Sequence, residues 1–279
     1  MMNDLPPVRP VEAQIRDIQQ QVEIIKQGLA AVSKPWYRDG TTVVASLAFV
    51  FSLATTVFSY LQSQQARFHD QRVELRSLIQ RQTDLEKELI TIPLIYQDLD
   101  IAAQGSLRGY VAKDQELITR QAYELIQSLP ENQVTAIEYI AISKGFSDLG
   151  LMDEALILAQ DAVRASHDGL ALSVSRQRYA ELLFKTGQYP AGRDQYQLAL
   201  DAFEQYHSVP HSDQKYAQLY TELSWIFSEY TNHQCTEAEQ HVDAAQALIS
   251  ELQDSVDVTA EQLNVDNWRE AVSTCTGTQ

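Results

Sequence analysis

Between Gly40 and Ala66 the chain carries no charged residue, and Thr41–Leu61 within that window reads TTVVASLAFVFSLATTVFSYL. As a helix this run rises about 30 Å, the thickness of a bilayer's hydrocarbon core. A soluble amphipathic helix would interrupt it with a polar face. Here the only polar groups before Tyr60 are Ser and Thr hydroxyls, which can bond their own backbone. Trp36, Tyr37 and Tyr60 sit where amphipathic rings favour an interface, and Lys34, Arg38 and Arg67 bracket the run with charge. The run is too long and too far from the N-terminus for a cleaved signal peptide, and no small-x-small site comes after it. A single transmembrane helix is therefore expected over 41–62.

Sidedness is not fixed by charge. Lys26, Lys34 and Arg38 before the run balance Arg67, Arg72 and Arg76 after it, so the positive-inside rule returns a tie. Two cysteines, Cys235 and Cys275, lie in the C-terminal part without Cys-x-x-Cys spacing. One disulfide between them fits an oxidising compartment, and two separate thiols fit a reducing one. The cysteines and the short leading tail lean toward a C-terminal domain on the non-cytoplasmic face.

Composition separates the two ends of the chain. Residues 1–92 carry ten basic and ten acidic side chains, whereas 93–279 carry 11 basic and 28 acidic, so the net charge of −17 resides in the C-terminal part. Such a surface repels phosphate backbones, which argues against a nucleic-acid partner. It serves solubility or attracts a basic partner. With ten glycines and eight prolines in 279 residues, an all-α protein is expected.

Both flanks of the span read as helices with heptad seams. Ile15, Ile18, Val22, Ile25, Leu29 and Val32 show 3–4–3–4–3 spacing over a tail of residues 1–40. This suits a parallel homo-oligomer or an interfacial helix. In a stalk over 63–92, Phe68, Leu75, Leu78, Leu85, Leu89 and Ile92 form a second seam, interrupted by Gln71 and Gln82. That stalk either self-associates or folds back on the domain C-terminal to it, and Pro93 is expected to break it. Within the span Ala45, Ala48, Ser52, Thr56 and Ser59 give a small-residue stripe, which permits helix association as readily as it reflects ordinary span composition.

Residues 93–279 contain internal repeats. Aligning Gly150 with Gly187 matches Phe146 to Leu183, Ala155 to Gly192, Ala159 to Tyr196 and Ala162 to Ala199. The pattern describes a helix, a tight turn and a second, antiparallel helix, with small residues at the crossing. A third copy over 216–252 places Ala238 and Ala245 in step at a larger offset, without a glycine at its turn. A helix over roughly 112–129, before Pro130, is half of an earlier unit or a cap, and one over 258–272 would cap the other end.

These features resemble the tetratricopeptide repeat (TPR) family: the aromatic-x3-Gly run Phe146–Gly150, Glu154–Ala155 and Ala162, echoed by Gly187, Tyr189, Gly192 and Ala199. Departures are Tyr139 and Arg176 at the family's tryptophan position, the missing closing prolines, and an offset of 37 residues instead of ~34. The resemblance implies an all-α, TPR-like antiparallel helix-pair solenoid whose first helices line a groove for a protein or peptide partner. Projected on this chain, the partner-binding groove presents Ile140, Lys144, Ser147, Gln177, Glu181, Phe184 and Lys185. A Lys/Asn-rich clamp for C-terminal carboxylates is absent from that set.

No nucleophile–base pair, phosphate-cradling glycine loop or H-E-x-x-H motif is present, so no enzyme activity, cofactor or metal is expected. His233, Cys235, Glu237 and His241 contain metal-ligand types, but in the spacing of a turn entering a helix. The expected function is a membrane-anchored scaffold or adaptor. The alternative is a structural or sensory single-pass protein whose oligomeric helical stalk is the working part.

Overall fold

The computed structural model describes residues 11–30, 40–205, 210–253 and 256–276, and within them the chain is helical with no strand. Its ten α-helices, in chain order, are α1 (Val11–Ala30), α2 (Gly40–Ile95), α3 (Ile101–Ser128), α4 (Ala136–Asp148), α5 (Met152–Arg164), α6 (Gly169–Lys185), α7 (Tyr189–Gln205), α8 (His211–Thr231), α9 (Cys235–Leu252) and α10 (Thr259–Thr276). The chain divides into two compact units, Met1–Arg67 and Phe68–Gln279.

Among the described residues one helix, α2, is long and apolar enough to cross a membrane, with an 18-residue window of mean hydropathy 1.8, none of it buried. Two of its hydroxyls bond backward along the helix: Thr55 Oγ1 donates to the Phe51 carbonyl (2.7 Å) and Thr56 Oγ1 to that of Ser52 (2.8 Å). Both threonines thus satisfy their hydroxyl donors within the helix, as suits a lipid-facing segment. Of the N-terminal seam, Val22 and Ile25 are exposed. The side chains of Ile15, Ile18 and Leu29 lie outside the described residues, as do Val32, Lys34, Trp36, Tyr37 and Arg38 altogether.

In the second unit the stalk seam packs inside the chain. Leu75 joins Ala122, Ile126, Tyr139 and Ile142 in a buried cluster, with Phe68 and Leu78 against it. Leu85 is fully buried and Ile92 nearly so. Both glutamines have partners: Gln82 Nε2 donates to the Ala141 carbonyl (3.0 Å) and Gln71 Nε2 to Ser128 Oγ (3.2 Å). Pro93 does not end the helix, because α2 runs two residues beyond it. A proline in the last turn forfeits one backbone bond without unwinding the turns before it.

Beyond α3 the chain forms three helix hairpins, α4–α5, α6–α7 and α8–α9, with α10 packed on the last. Thr135 and Glu138 form a reciprocal capping box at the start of α4, while Asp100 and Asp168 cap α3 and α6. Gly150 (φ 76°) and Gly187 (φ 77°) adopt left-handed backbone after α4 and α6, and the next amide reaches back to the carbonyls of Phe146 and Leu183. The third hairpin makes the same turn without glycine: His233 sits at φ 60°, and Gln234 N–H donates to Glu229 O.

Residues at similar distances from each turn meet across the hairpin, so the helices are antiparallel. Ser143 Oγ donates to Ala155 O on α5, and Gly192 on α7 lies beneath Phe184 of α6. The repeat-matched small positions sit at these crossings. Ala155, Ala162, Ala199, Ala238 and Ala245 have no exposed surface, and a Cβ on Gly192 would come within 2.6 Å of the Phe184 ring. At the end of the array, α10 buries Val265 and Val272 against α9 and sets Trp268 edge-on to Tyr230 and Phe227. Cys235 at the head of α9 is disulfide-bonded to Cys275 near the end of α10, their Cα atoms 6.0 Å apart.

Candidate functional site

The first helices of the hairpins, α4, α6 and α8, lie side by side, and the residues projected as a groove fall on them in two overlapping groups. One group makes bonds between neighbouring helices. Lys144 Nζ pairs with Glu86 on α2 and with Asp148 (3.2 Å), which raises its pKa against the opposing effect of burial. Lys185 Nζ donates to the buried Ser147 Oγ (3.0 Å), linking α6 to α4. Ser224 Oγ on α8 donates to Glu181 (2.8 Å), which also takes the Arg178 guanidinium (2.9 Å). Ile140 packs on the hydrophobic cluster beneath α4, and Phe184 is buried against Tyr189 and Tyr196.

Glu181, Phe184 and Lys185 of that group, and Gln177, also border open clefts between α6 and α8. A cleft of about 410 Å³ is bordered by Glu181, Phe184, Lys185 and, from α8, Phe227, Ser228, Thr231 and Asn232. A second, of about 420 Å³, opens between the earlier halves of the same helices, where Gln177 borders it together with Leu170, Val174, Tyr216, Tyr220 and Val256. Leu170, Val174, Tyr220 and Val256 remain 38–48% exposed. The Glu181–Ser224 bond lies between the two clefts in both helix sequences.

One acid borders the second cleft and two more adjoin residues that line it. Asp213 borders it, Asp257 comes directly after Val256, and Glu261 on α10 accepts from the hydroxyls of Tyr216 and Tyr220, the latter at 3.2 Å. The Tyr216 hydroxyl holds the Glu261 carboxyl below the usual range, and the same bond pushes the tyrosine up. The Thr259 hydroxyl and amide lower Asp257. Among the described residues none of these three acids forms an ion pair; each is met by neutral donors. The cleft therefore combines apolar walls with uncompensated negative charge, an arrangement suited to an apolar side chain flanked by cations.

Sequence reasoning missed the walls. The signal was the i, i+4 pairs Leu170/Val174 and Tyr216/Tyr220, apolar positions one turn apart on helices already expected. The repeat alignment drew attention instead to the turn-proximal halves of those helices.

The residues weighed for metal chemistry are used separately. His233 forms a turn and Cys235 a disulfide. His241 Nδ1 lies 2.7 Å from Glu222 Oε2, with its ring stacked on Trp225 at 3.7 Å between centroids. Among the described residues no cluster of three metal-ligand side chains occurs.

No family model and no curated protein matches the chain. Among solved structures it is similar to that described as "Crystal structure of BtubC (BKLC) from P. vanneervenii", at 14% identity and a TM-score of 0.42, covering 73% of this chain and 89% of that one.

Proposed function

We propose that the chain is a membrane-anchored, TPR-like scaffold that docks a polypeptide partner in the channel between α6 and α8. The observation that carries this reading is the cleft bordered by Leu170, Val174, Tyr216, Tyr220, Val256 and Asp213, where Asp213, the adjoining Asp257 and the tyrosine-bound Glu261 make no ion pair among the described residues. Its chemistry favours a segment with an aliphatic or aromatic anchor next to Lys or Arg. Lys144, Ser147 and Glu181 act in this reading as the fasteners that keep the helices in register. The repeated hairpins with small residues at their crossings support membership of the TPR class, and the apolar run over 41–62 supports the anchor.

The sidedness we favour places the C-terminal unit in an oxidising, non-cytoplasmic compartment. The support is the Cys235–Cys275 disulfide, which persists where thiols are not kept reduced.

Docking is tested with a photoreactive side chain at Val174 in the full-length protein in its native membrane. The reading expects discrete polypeptide adducts from Val174 that vanish on Tyr220→Asp, and none from Leu263, a more exposed control on α10. Adducts from both positions alike, or none from Val174, would overturn it.

A further inference from the structure

The corner between α2 and α3 leaves a dense apolar surface uncovered. Ile90, Leu94, Ile95, Tyr96, Leu99 and Ile101 fall within twelve residues, and their exposure runs from 40% at Leu99 to 90% at Ile101. Soluble proteins rarely leave a contiguous patch larger than roughly 300–600 Å² without a partner. Six side chains this exposed present on the order of 600 Å², so apposing two such corners would remove about 1,200 Å², the lower end of an ordinary stable interface.

We infer that this corner is the self-association surface of the protein, with a second copy of the same chain as its occupant. Three observations select that occupant. The heptad seam of the same helix is already consumed within the chain, since Leu75 and Leu85 are fully buried and Gln82 bonds to Ala141, so association cannot use it. The C-terminal part is net acidic, with 28 acidic against 11 basic residues over 93–279, and repels a like copy. From Ile90 to Leu107 the only charges are Asp98 and Asp100, so copies meet here with little repulsion. A bilayer is disfavoured as occupant, because the corner carries two acids and no Lys or Arg lies between Lys87 and Arg108. Anchoring in one membrane confines the copies, so an interface of this modest size suffices.

The test uses the full-length chain in a mild, density-matched detergent. Sedimentation equilibrium should give a concentration-dependent dimer, with association weakened at least tenfold by Leu94→Asp with Ile95→Asp, and likewise by Ile101→Asp on the other side of the corner. Leu263→Asp, equally exposed on α10, should leave it unchanged. The corner substitutions lie at exposed positions, so an unchanged melting temperature certifies the fold. A photoreactive group at Ile95 should cross-link chain to chain in native membranes. A monomeric wild type, corner variants that associate as wild type does, or cross-links from Ile95 to lipid in place of protein would each overturn the inference.

Discussion

Arg193 on α7 holds Glu229 on α8 through two hydrogen bonds, Nε to Oε1 at 2.7 Å and Nη2 to Oε2 at 2.9 Å, and Glu229 has no exposed surface. Trp225 Nε1 donates to the same carboxylate at 3.0 Å, and the hydrogen bond to Glu229 raises the arginine's pKa. In the repeat alignment Glu229 takes the position of Phe146 and Leu183, so a buried carboxylate held by a half-buried arginine joins two hairpins where the other copies use hydrocarbon. Removing one partner strands the other. Arg193→Met should cost about 3–5 kcal/mol in urea unfolding, whereas Arg193→Met with Glu229→Leu should recover most of it. A double-variant loss equal to the sum of the losses in Arg193→Met and Glu229→Leu would show that the pair is not coupled.

Close packing at Gly192 gives a second prediction. A methyl group there meets the Phe184 ring at 2.6 Å and the Ala180 carbonyl at 3.3 Å. Gly192→Ala should therefore destabilise by about 1–3 kcal/mol through overpacking, and Phe184→Leu should relieve part of that in the double variant.

At the third turn, His233 holds a left-handed conformation that costs an L-residue about 1–2 kcal/mol. His233→Gly removes that strain but adds freedom to the unfolded chain, so the net gain should be a positive value below about 1 kcal/mol. Gly150→Ala and Gly187→Ala, both in open space but at positive φ, should move stability the other way. Thermal melts of the three variants check the ordering.

The turns also mark how far the sequence carries. Gly150 and Gly187 were readable because glycine is the usual residue for that backbone, whereas His233 adopts it under the pull of the surrounding hairpin. Gln82 read as a flaw in a heptad seam, because a polar side chain among leucines gives no hint of the Ala141 carbonyl that receives it, 59 residues away. Lys144, Ser147 and Lys185 of the projected groove lie on α4 and α6, the first helices of their hairpins. Their partners come from neighbouring helices, which periodicity within one helix does not report. Tyr216 and Tyr220 escaped attention because their value lies in facing Val174 and Glu261, a relationship of packing and not of spacing.

The bonds at Glu261 and Asp257 set a pH dependence. Both carboxyls are held below their ordinary values of 4.5 and 3.8 in the folded protein. Their contribution is complete above the unfolded values and is lost as the pH falls through the lower folded ones. Stability should thus decline on acidification below about pH 4.5, and Glu261→Gln should flatten part of that decline. An identical pH profile in the variant would show that the Tyr216–Glu261 bond contributes nothing to it.

The disulfide closes a separation of 40 residues and secures α10 over the last hairpin. Reduction should lower stability by up to about 4 kcal/mol, the entropy of a loop of that length. Release of α10 should raise hydrogen exchange at Val265 and Val272 before it does so at Ile142, which belongs to the other hydrophobic cluster.

The central claim, a docking unit tethered to a membrane on its oxidising side, is tested most directly by protease protection of a C-terminal tag in intact, right-side-out vesicles, with thiol labelling of the same sample. The account predicts that the tag is digested without permeabilisation, that the span stays in the membrane after alkaline extraction, and that Cys235 and Cys275 label only after reduction. A tag protected until the membrane is opened, with both thiols labelling directly, would contradict it.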